Sequence, residues 1–380
     1  MKKLWMILTL IASSSVVLGG EVNLVWRDNS VKVLIDGDVF TVYRFGSDLP
    51  KPYFLPVTAP GSWDLLGQAQ PGDETVAGRA AFVCDEPLVV GAGEELPFGT
   101  IVQVESVDPK TVKINGQAEP VSRSSLAPLA GTVTRLVNLH PPAIKDRKDP
   151  LYYDHPHHKG IWLSIDEVNG IKFWNEDGRI VSKQVEVVRA QGNPAVFKAT
   201  NHWLKADGNP LVEQVTTWSV YADRFLTCDV TFKAVDERVT FGDTKEGMFA
   251  IRLPNSMREF ISAGPVTNAE GVVGTAPCWG KESNWIDYVG KVDGHDLGVA
   301  LLDHPGNPRR SRYHVRDYGL FAINPFGVHA YTNKEIPESP LVLEPKTDGA
   351  RFRYGLYVHN GVLPEGAMQK RFDQFAAEGQ

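Results

Sequence analysis

Apolar and polar positions alternate with a period of two along much of the chain. In residues 225–233, Leu226, Cys228, Val230 and Phe232 share one face, while Thr227, Asp229, Thr231 and Lys233 share the other. Residues 351–359 repeat the pattern, with Phe352, Tyr354, Leu356 and Val358 on one side. Successive strand side chains point to opposite faces, so such runs describe sheets with one buried and one wet face. Residues 22–25, 31–35 and 39–43 read as three more strands, the last two joined by the hairpin turn Asp36-Gly37-Asp38. Only residues 365–378 read as a helix. The pattern predicts a mainly β fold, a large antiparallel β-sandwich with two sheets packed face to face.

Composition agrees with that picture and adds punctuation. The 380 residues are 42% hydrophobic and 22% charged, as in an ordinary globular protein, and 35 Gly and 26 Pro supply many turns. Residues 59–80, rich in Gly, Pro, Ala and Gln, read as a loop or linker. Residues 82–130 have a different texture, with short strands around Gly99-Thr100-Ile101-Val102-Gln103-Val104, Lys113-Ile114-Asn115-Gly116 and Val121 to Leu129. That succession resembles a small bacterial SH3-like barrel, though Glu119-Pro120 stands where such barrels often carry a tryptophan. The expected organisation is a signal segment at 1–20, a sandwich body at 21–70 and 136–380, and an inserted SH3-like module at 82–130. A peptide or a glycan is the partner that module would take.

The first twenty residues have the layout of a secretory signal: Met1-Lys2-Lys3, an apolar stretch from Leu4 to Ile11, and small residues to Gly20. Cleavage near residue 20 would give a periplasmic or secreted protein. No run approaches the length of a membrane span. The net charge of −7 argues against a nucleic-acid partner. Cys84, Cys228 and Cys278 allow one disulfide at most and lack the spacing of a zinc or redox motif. Phosphate-binding loops, His-Glu-x-x-His helices and Gly-x-Ser-x-Gly elbows do not occur.

The candidate chemistry lies in four segments. Three of the ten histidines fall within four positions, in Asp154-His155-Pro156-His157-His158-Lys159-Gly160. Imidazole titrates near neutrality, so the cluster suits a general acid or base, or a metal site. Alternation places His158, Trp162, Ser164 and Asp166 on one face. The second segment, Asp166-Glu167-Val168-Asn169-Gly170 with Phe173-Trp174, offers aromatic rings that can form a platform for a sugar. In the third, Glu246 and Arg252 project from one face of residues 244–252. The fourth, Asp303-His304-Pro305-Gly306-Asn307-Pro308-Arg309 followed by Tyr313-His314-Val315-Arg316-Asp317-Tyr318-Gly319 and Ile323-Asn324-Pro325-Phe326-Gly327, repeats Asp-His-Pro and can bring His304, Asn307 and Arg309 to the same cleft. No cofactor is expected from these motifs. A divalent metal held by Asp154, His155 and His157 stays open as an alternative.

Lys51-Pro52-Tyr53-Phe54, Asp154 to Trp162, Asp166 to Gly170, Phe173-Trp174, Asp303 to Pro308 and Asn324-Pro325-Phe326-Gly327 together resemble a secreted bacterial family labelled "methane oxygenase PmoA". The resemblance covers about residues 25–60 and 136–365. The membrane subunit behind that label is a bundle of helices, so methane oxidation is not expected of this strand-rich chain. The family's style is also similar to the mutarotase-like supersandwich of sugar enzymes. That likeness implies a histidine acid and a glutamate base on a concave sheet.

The expectation is a secreted carbohydrate-active enzyme, a glycoside hydrolase, lyase or sugar epimerase. His157 or His158 would be the acid, Glu246 the base, and Trp162, Arg252, Asp166, His304, Asn307 and Arg309 the substrate contacts. The alternative is a glycan-binding or surface-interaction protein without turnover.

Overall fold

The computed structural model describes residues 20–59, 80–83, 88–96, 100–108, 110–128, 155–262, 264–292 and 295–378. The expected signal segment up to residue 19, most of the linker, Cys84 and Asp154 lie outside the described residues. Two antiparallel sheets dominate. One has nine strands, in the order Gln191–Gly192, Val22–Arg27, Ser30–Ile35, Asp38–Arg44, Tyr53–Val57, Ile161–Ile165, Gly247–Arg252, Leu320–Asn324 and Arg312–Val315. The other has eight, in the order Arg179–Arg189, Ala195–Leu204, Pro210–Val220, Phe225–Ala234, Ala350–Asn360, His295–Asp303, Trp285–Val292 and Val266–Asn268. They pack face to face as a large antiparallel β-sandwich.

The alternating residues build the core between the sheets. Phe54, Ile161, Leu163, Phe249, Ile251, Phe321 and Ile323 meet Phe197, Trp218, Val230, Phe352, Tyr354 and Leu356 across the interface. Phe54 and Trp218 meet edge-on with ring centroids 4.8 Å apart, a geometry favoured by the ring quadrupoles. Phe225–Ala234 and Ala350–Asn360 pair directly with each other. The helix occupies Ala367–Ala377. Its Met368, Phe372 and Phe375 recur at helical spacing and cover Phe225, Ala300 and Leu302 on the far side of the eight-stranded sheet.

The central strands of the nine-stranded sheet depart from one-sided burial. All five residues of Ile161–Ile165 are buried, because a second, smaller apolar layer covers the face turned away from the main core. It contains Tyr53, Leu55, Trp162, Trp174, Ala250, Tyr318, Leu320 and Ala322. A parallel-sheet texture, buried on both faces, thus occurs in an antiparallel sheet because loops cover its middle.

A five-stranded sheet stands apart, in the order Val121–Ser122, Thr111–Ile114, Ile101–Val107, Ala80–Val83 and Leu126–Pro128. It has its own small core around Val83, Val104, Val112, Ile114 and Leu126. It lies in sequence between Tyr53–Val57 and Ile161–Ile165, which pair directly in the nine-stranded sheet. The large sheet therefore closes across this segment. Lys32 Nζ donates to Ser124 O at 2.8 Å, and Arg123 pairs with Asp38, which ties the small sheet to the hairpin beside it. Cys228 and Cys278 are buried free thiols.

Candidate functional site

The outward face of the central strands positions the candidate chemistry. Trp162 lies opposite Ala250, Ala250 opposite Ala322, and Ala322 opposite His314. Adjacent strands are about 4.8 Å apart, so Trp162 and His314 stand roughly 14 Å apart across a floor of two alanines.

One wall is a column of planar rings. Tyr318 stacks on His155 at 5.2 Å and 1°, and His155 on His158 at 4.6 Å and 4°. His158 then stacks on Trp162 at 5.3 Å and 20°. Arg252 Nη1 lies 3.0 Å from His158 Nδ1 in a buried contact. A guanidinium only donates, so Nδ1 must accept, and the neutral ring carries its proton on Nε2. Burial and the Arg252 charge hold the His158 pKa well below 6.5. His158 is therefore a fixed, uncharged Nε2–H donor. His157, edge-on to His158, is pushed down to about 3 by burial and by the Lys51 charge.

The loop bearing these rings is fastened from behind. Lys51 Nζ donates to His157 O at 2.8 Å and Lys159 Nζ to Pro156 O at 3.1 Å. Both ammonium groups converge on Glu176, at 2.7 Å from Lys51 and 2.6 Å from Lys159. Burial alone would raise the Glu176 pKa, but the two lysines outweigh it and hold the carboxyl below its usual range. Burial in turn lowers Lys51 to about 8, against the pull of Glu176. Gly160 lets the chain turn into the strand. Its φ is +53°, and a Cβ there would fall 1.9 Å from Phe54 O, so only glycine fits.

The opposite wall is built around His314. Its Nδ1 lies 3.0 Å from Lys245 O. A carbonyl only accepts, so Nδ1 carries the proton and Nε2 presents a lone pair. Burial and the Arg316 charge lower its pKa to about 3, which keeps the ring neutral. Glu246 follows Lys245 directly, and its backbone carbonyl accepts from Asp166 N at 2.9 Å. Burial raises the pKa of Glu246, and the neighbouring Asp166 carboxylate adds to the rise. Asp166 is itself raised, chiefly by burial. Trp279 and Tyr331 pack near His314, with centroids 6.3 and 6.1 Å away. This wall has a raised carboxyl and a lone-pair nitrogen held by adjacent residues of one segment.

The structure gathers His155, His157, His158, Trp162, Arg252, Asp166 and Glu246 on this one sheet face, with corrections to their expected parts. Trp162 is only 1% exposed, sandwiched between His158 and Trp174, so it presents no open ring to a ligand. His157 and His158 are neutral well below physiological pH, which does not fit the acid role expected of them. Glu246 lies six residues before Arg252, roughly 20 Å along an extended chain, which separates it from His158; its carboxylate is 3.7 Å from Lys245 Nζ, and the Lys245 carbonyl meets His314. His304, Asn307 and Arg309 are elsewhere. His304 packs edge-on to Phe375 of the C-terminal helix at 5.0 Å. Asn307 bonds Asp303 Oδ1 and Arg353 O at 2.8 and 2.9 Å, which fixes its turn. Arg309 donates to Ser339 O at 2.7 Å. For the metal alternative, His155 and His157 lie 5.6 Å apart by centroid and Asp154 is outside the described residues. Among the described residues, no three His, Cys, Asp or Glu side chains are grouped to hold a metal ion. His314 and Arg316 lie in the fourth candidate segment without a role assigned to either, and Trp279 is the residue the sequence did not point to. A polar residue between Tyr313 and Val315, both core residues, was the available signal for His314.

The sequence of residues 128–373 matches the family of unknown function DUF6807. The chain belongs to that family. No curated protein sequence matches it. Among solved structures, a β-arabinopyranosidase is similar at TM-score 0.31 and 12% identity, covering 67% of this chain and 39% of its own. The galactose 1-epimerase of Lactobacillus acidophilus NCFM is similar at TM-score 0.29 and 8% identity, covering 90% of this chain and 98% of its own. The chain thus spans well under half the length of the first. Likeness at this level says nothing of activity.

Proposed function

We propose that the outer face of the nine-stranded sheet is the active site of a carbohydrate-active enzyme working by acid–base chemistry. The observation that carries this reading is the two neutral imidazoles fixed in opposite tautomers on facing walls, His158 by Arg252 and His314 by the Lys245 carbonyl, the latter on the segment that carries Glu246, whose pKa burial raises. A sugar ring offers many neutral hydroxyls, which are matched by neutral donors and acceptors set among aromatic rings. Glu246 is the proton-transfer group: its carboxylate, made more basic by burial, takes the proton from the attacking water or sugar hydroxyl and returns it to the leaving or ring oxygen as the C–O bond breaks. His314 Nε2 presents a lone pair that accepts a hydrogen bond from a sugar hydroxyl. His158 Nε2–H donates a hydrogen bond without changing charge. Groups of this kind contribute about 10²–10⁴-fold in rate.

The test is a panel of glycosides and reducing sugars followed by NMR, which reads bond cleavage and anomer exchange together. Glu246→Gln and His314→Gln should each lower turnover by about 100-fold or more, in variants that circular dichroism shows to be folded. Turnover unaltered in both variants rejects the assignment. Glycan binding with no turnover of any substrate favours the non-catalytic alternative.

A further inference from the structure

Beside the His314 wall lies a cavity of about 440 Å³, lined by Glu259, Thr275, Ala276, Trp279, Val315, Arg316 and Asp317. That volume is in the range of small-molecule sites. Arg316 joins the cavity to the ring column, because its guanidinium lies 5.4 Å from the centroid of Tyr318. Its charge also reaches His314, as the electrostatic influence described above requires.

The charges around Arg316 leave its donors unspent. Among the described residues the guanidinium has no ion pair and no hydrogen bond through its side chain; its recorded contact is the Tyr318 ring. Glu259, which lines the same cavity, is hydrogen-bonded elsewhere. It accepts from Thr275 N at 2.9 Å through one oxygen and from the Thr275 hydroxyl through the other. Asp317 has an interaction of its own. On the ring-column side, Lys51 and Lys159 share the single carboxylate of Glu176. The cavity lining also carries the carboxylates of Glu259 and Asp317, and neither is ion-paired to Arg316. A planar, half-buried fork of donors in a cavity, with no ion pair of its own, matches an oxyanion brought by a ligand.

We infer that Arg316 forms an anion-binding subsite of the sugar site, so that the ligand is an acidic sugar, a uronate or an anionic ester of a hexose. The inference rests on the sugar reading above and narrows it. Arg316 would grip the charged substituent bidentately, with Trp279 beside the ring and His314 and Glu246 at the reacting end. Its role is specificity and not proton transfer.

The experiment measures binding to the full chain by calorimetry, with galactose, galacturonate and galactose 6-sulfate as probes at low and at 0.5 M salt. The expected result is at least about tenfold tighter binding of an anionic probe than of galactose, as one charge-assisted contact supplies. The preference should shrink in high salt. Arg316→Gln should erase the preference and leave galactose affinity within about twofold. Whether galacturonate or the sulfate gains most identifies the anionic group. Equal affinity for galactose and both anions, or a preference that survives Arg316→Gln, overturns the subsite while leaving the sugar reading intact. Binding of none of the three sugars, with the chain folded by circular dichroism, rejects the sugar reading and the subsite with it.

Discussion

At the scale of single residues, the chemistry is set by which atom of each histidine a partner occupies. His158 faces a donor and His314 an acceptor, so two identical side chains are left with opposite functions at Nε2. Long-range ¹H–¹⁵N spectra should show His158 protonated at Nε2 alone and His314 at Nδ1 alone. Neither should titrate between pH 7 and 5, and signals are assigned by their loss in His158→Gln and His314→Gln. A ring that titrates near 6.5 would overturn the assignment. Glu246 was legible in the sequence because a charged residue leading an apolar strand stands out. His314 stood in a candidate segment, but its role was not legible, because its defining partner, the Lys245 carbonyl, is 69 residues distant and no local pattern announces a contact of that range. Arg252 was legible as a pocket residue. That it serves by fixing a tautomer follows only from the distance to His158.

At the scale of elements, the site depends on a loop held by buried charge. Two lysines, 1% and 7% exposed at the side chain, lean on one glutamate. Glu176→Gln leaves both ammonium groups buried without a counter-charge. Removing one partner of a buried pair costs about 3–5 kcal/mol, so the urea midpoint should fall correspondingly, with weaker ligand binding at the ring column. A loss below about 1 kcal/mol would mean that water reaches the lysines and neutralises the effect. Gly160→Ala should dislodge the same loop for a steric reason, since the added methyl meets the Phe54 carbonyl. The strands at 225–233 and 351–359 and the terminal helix were readable because one-sided burial leaves its period in the sequence. The strand order of the sheets was not, because register depends on partners far apart in the chain. Nor was the burial of both faces around Trp162, which the loops carrying His155–Gly160 and Trp174 create.

Across the whole molecule, the neutral histidines set how the protein meets acid. An unfolded imidazole titrates near 6.5, whereas burial lowers His314 to about 3 and burial with the Arg252 charge holds His158 well below 6.5. Between those values the unfolded chain binds more protons, so stability present above pH 6.5 is lost as the pH falls through that window. His314 costs about 1.4 kcal/mol per pH unit below 6.5, or about 2 kcal/mol at pH 5, and His158 adds to the loss in the same direction. Glu246 and Asp166 act in the opposite sense, because carboxyls whose pKa burial has raised are relieved as they protonate. Urea midpoints at pH 7 and pH 5 should therefore differ clearly, and coincident midpoints would contradict buried neutral rings. The large sheet closing across residues 80–128 also means that the site face draws its strands from both sides of that segment. Finally, Trp162 and Trp174 lie 5.1 Å apart, inclined by 54°, with His158 against both. Indoles so close and so tilted share their excited states, and the near-ultraviolet circular dichroism of the native chain should contain the resulting couplet. Anything that enters beside the ring column, or charges His158, will perturb that couplet, so the molecule carries its own optical gauge of occupancy.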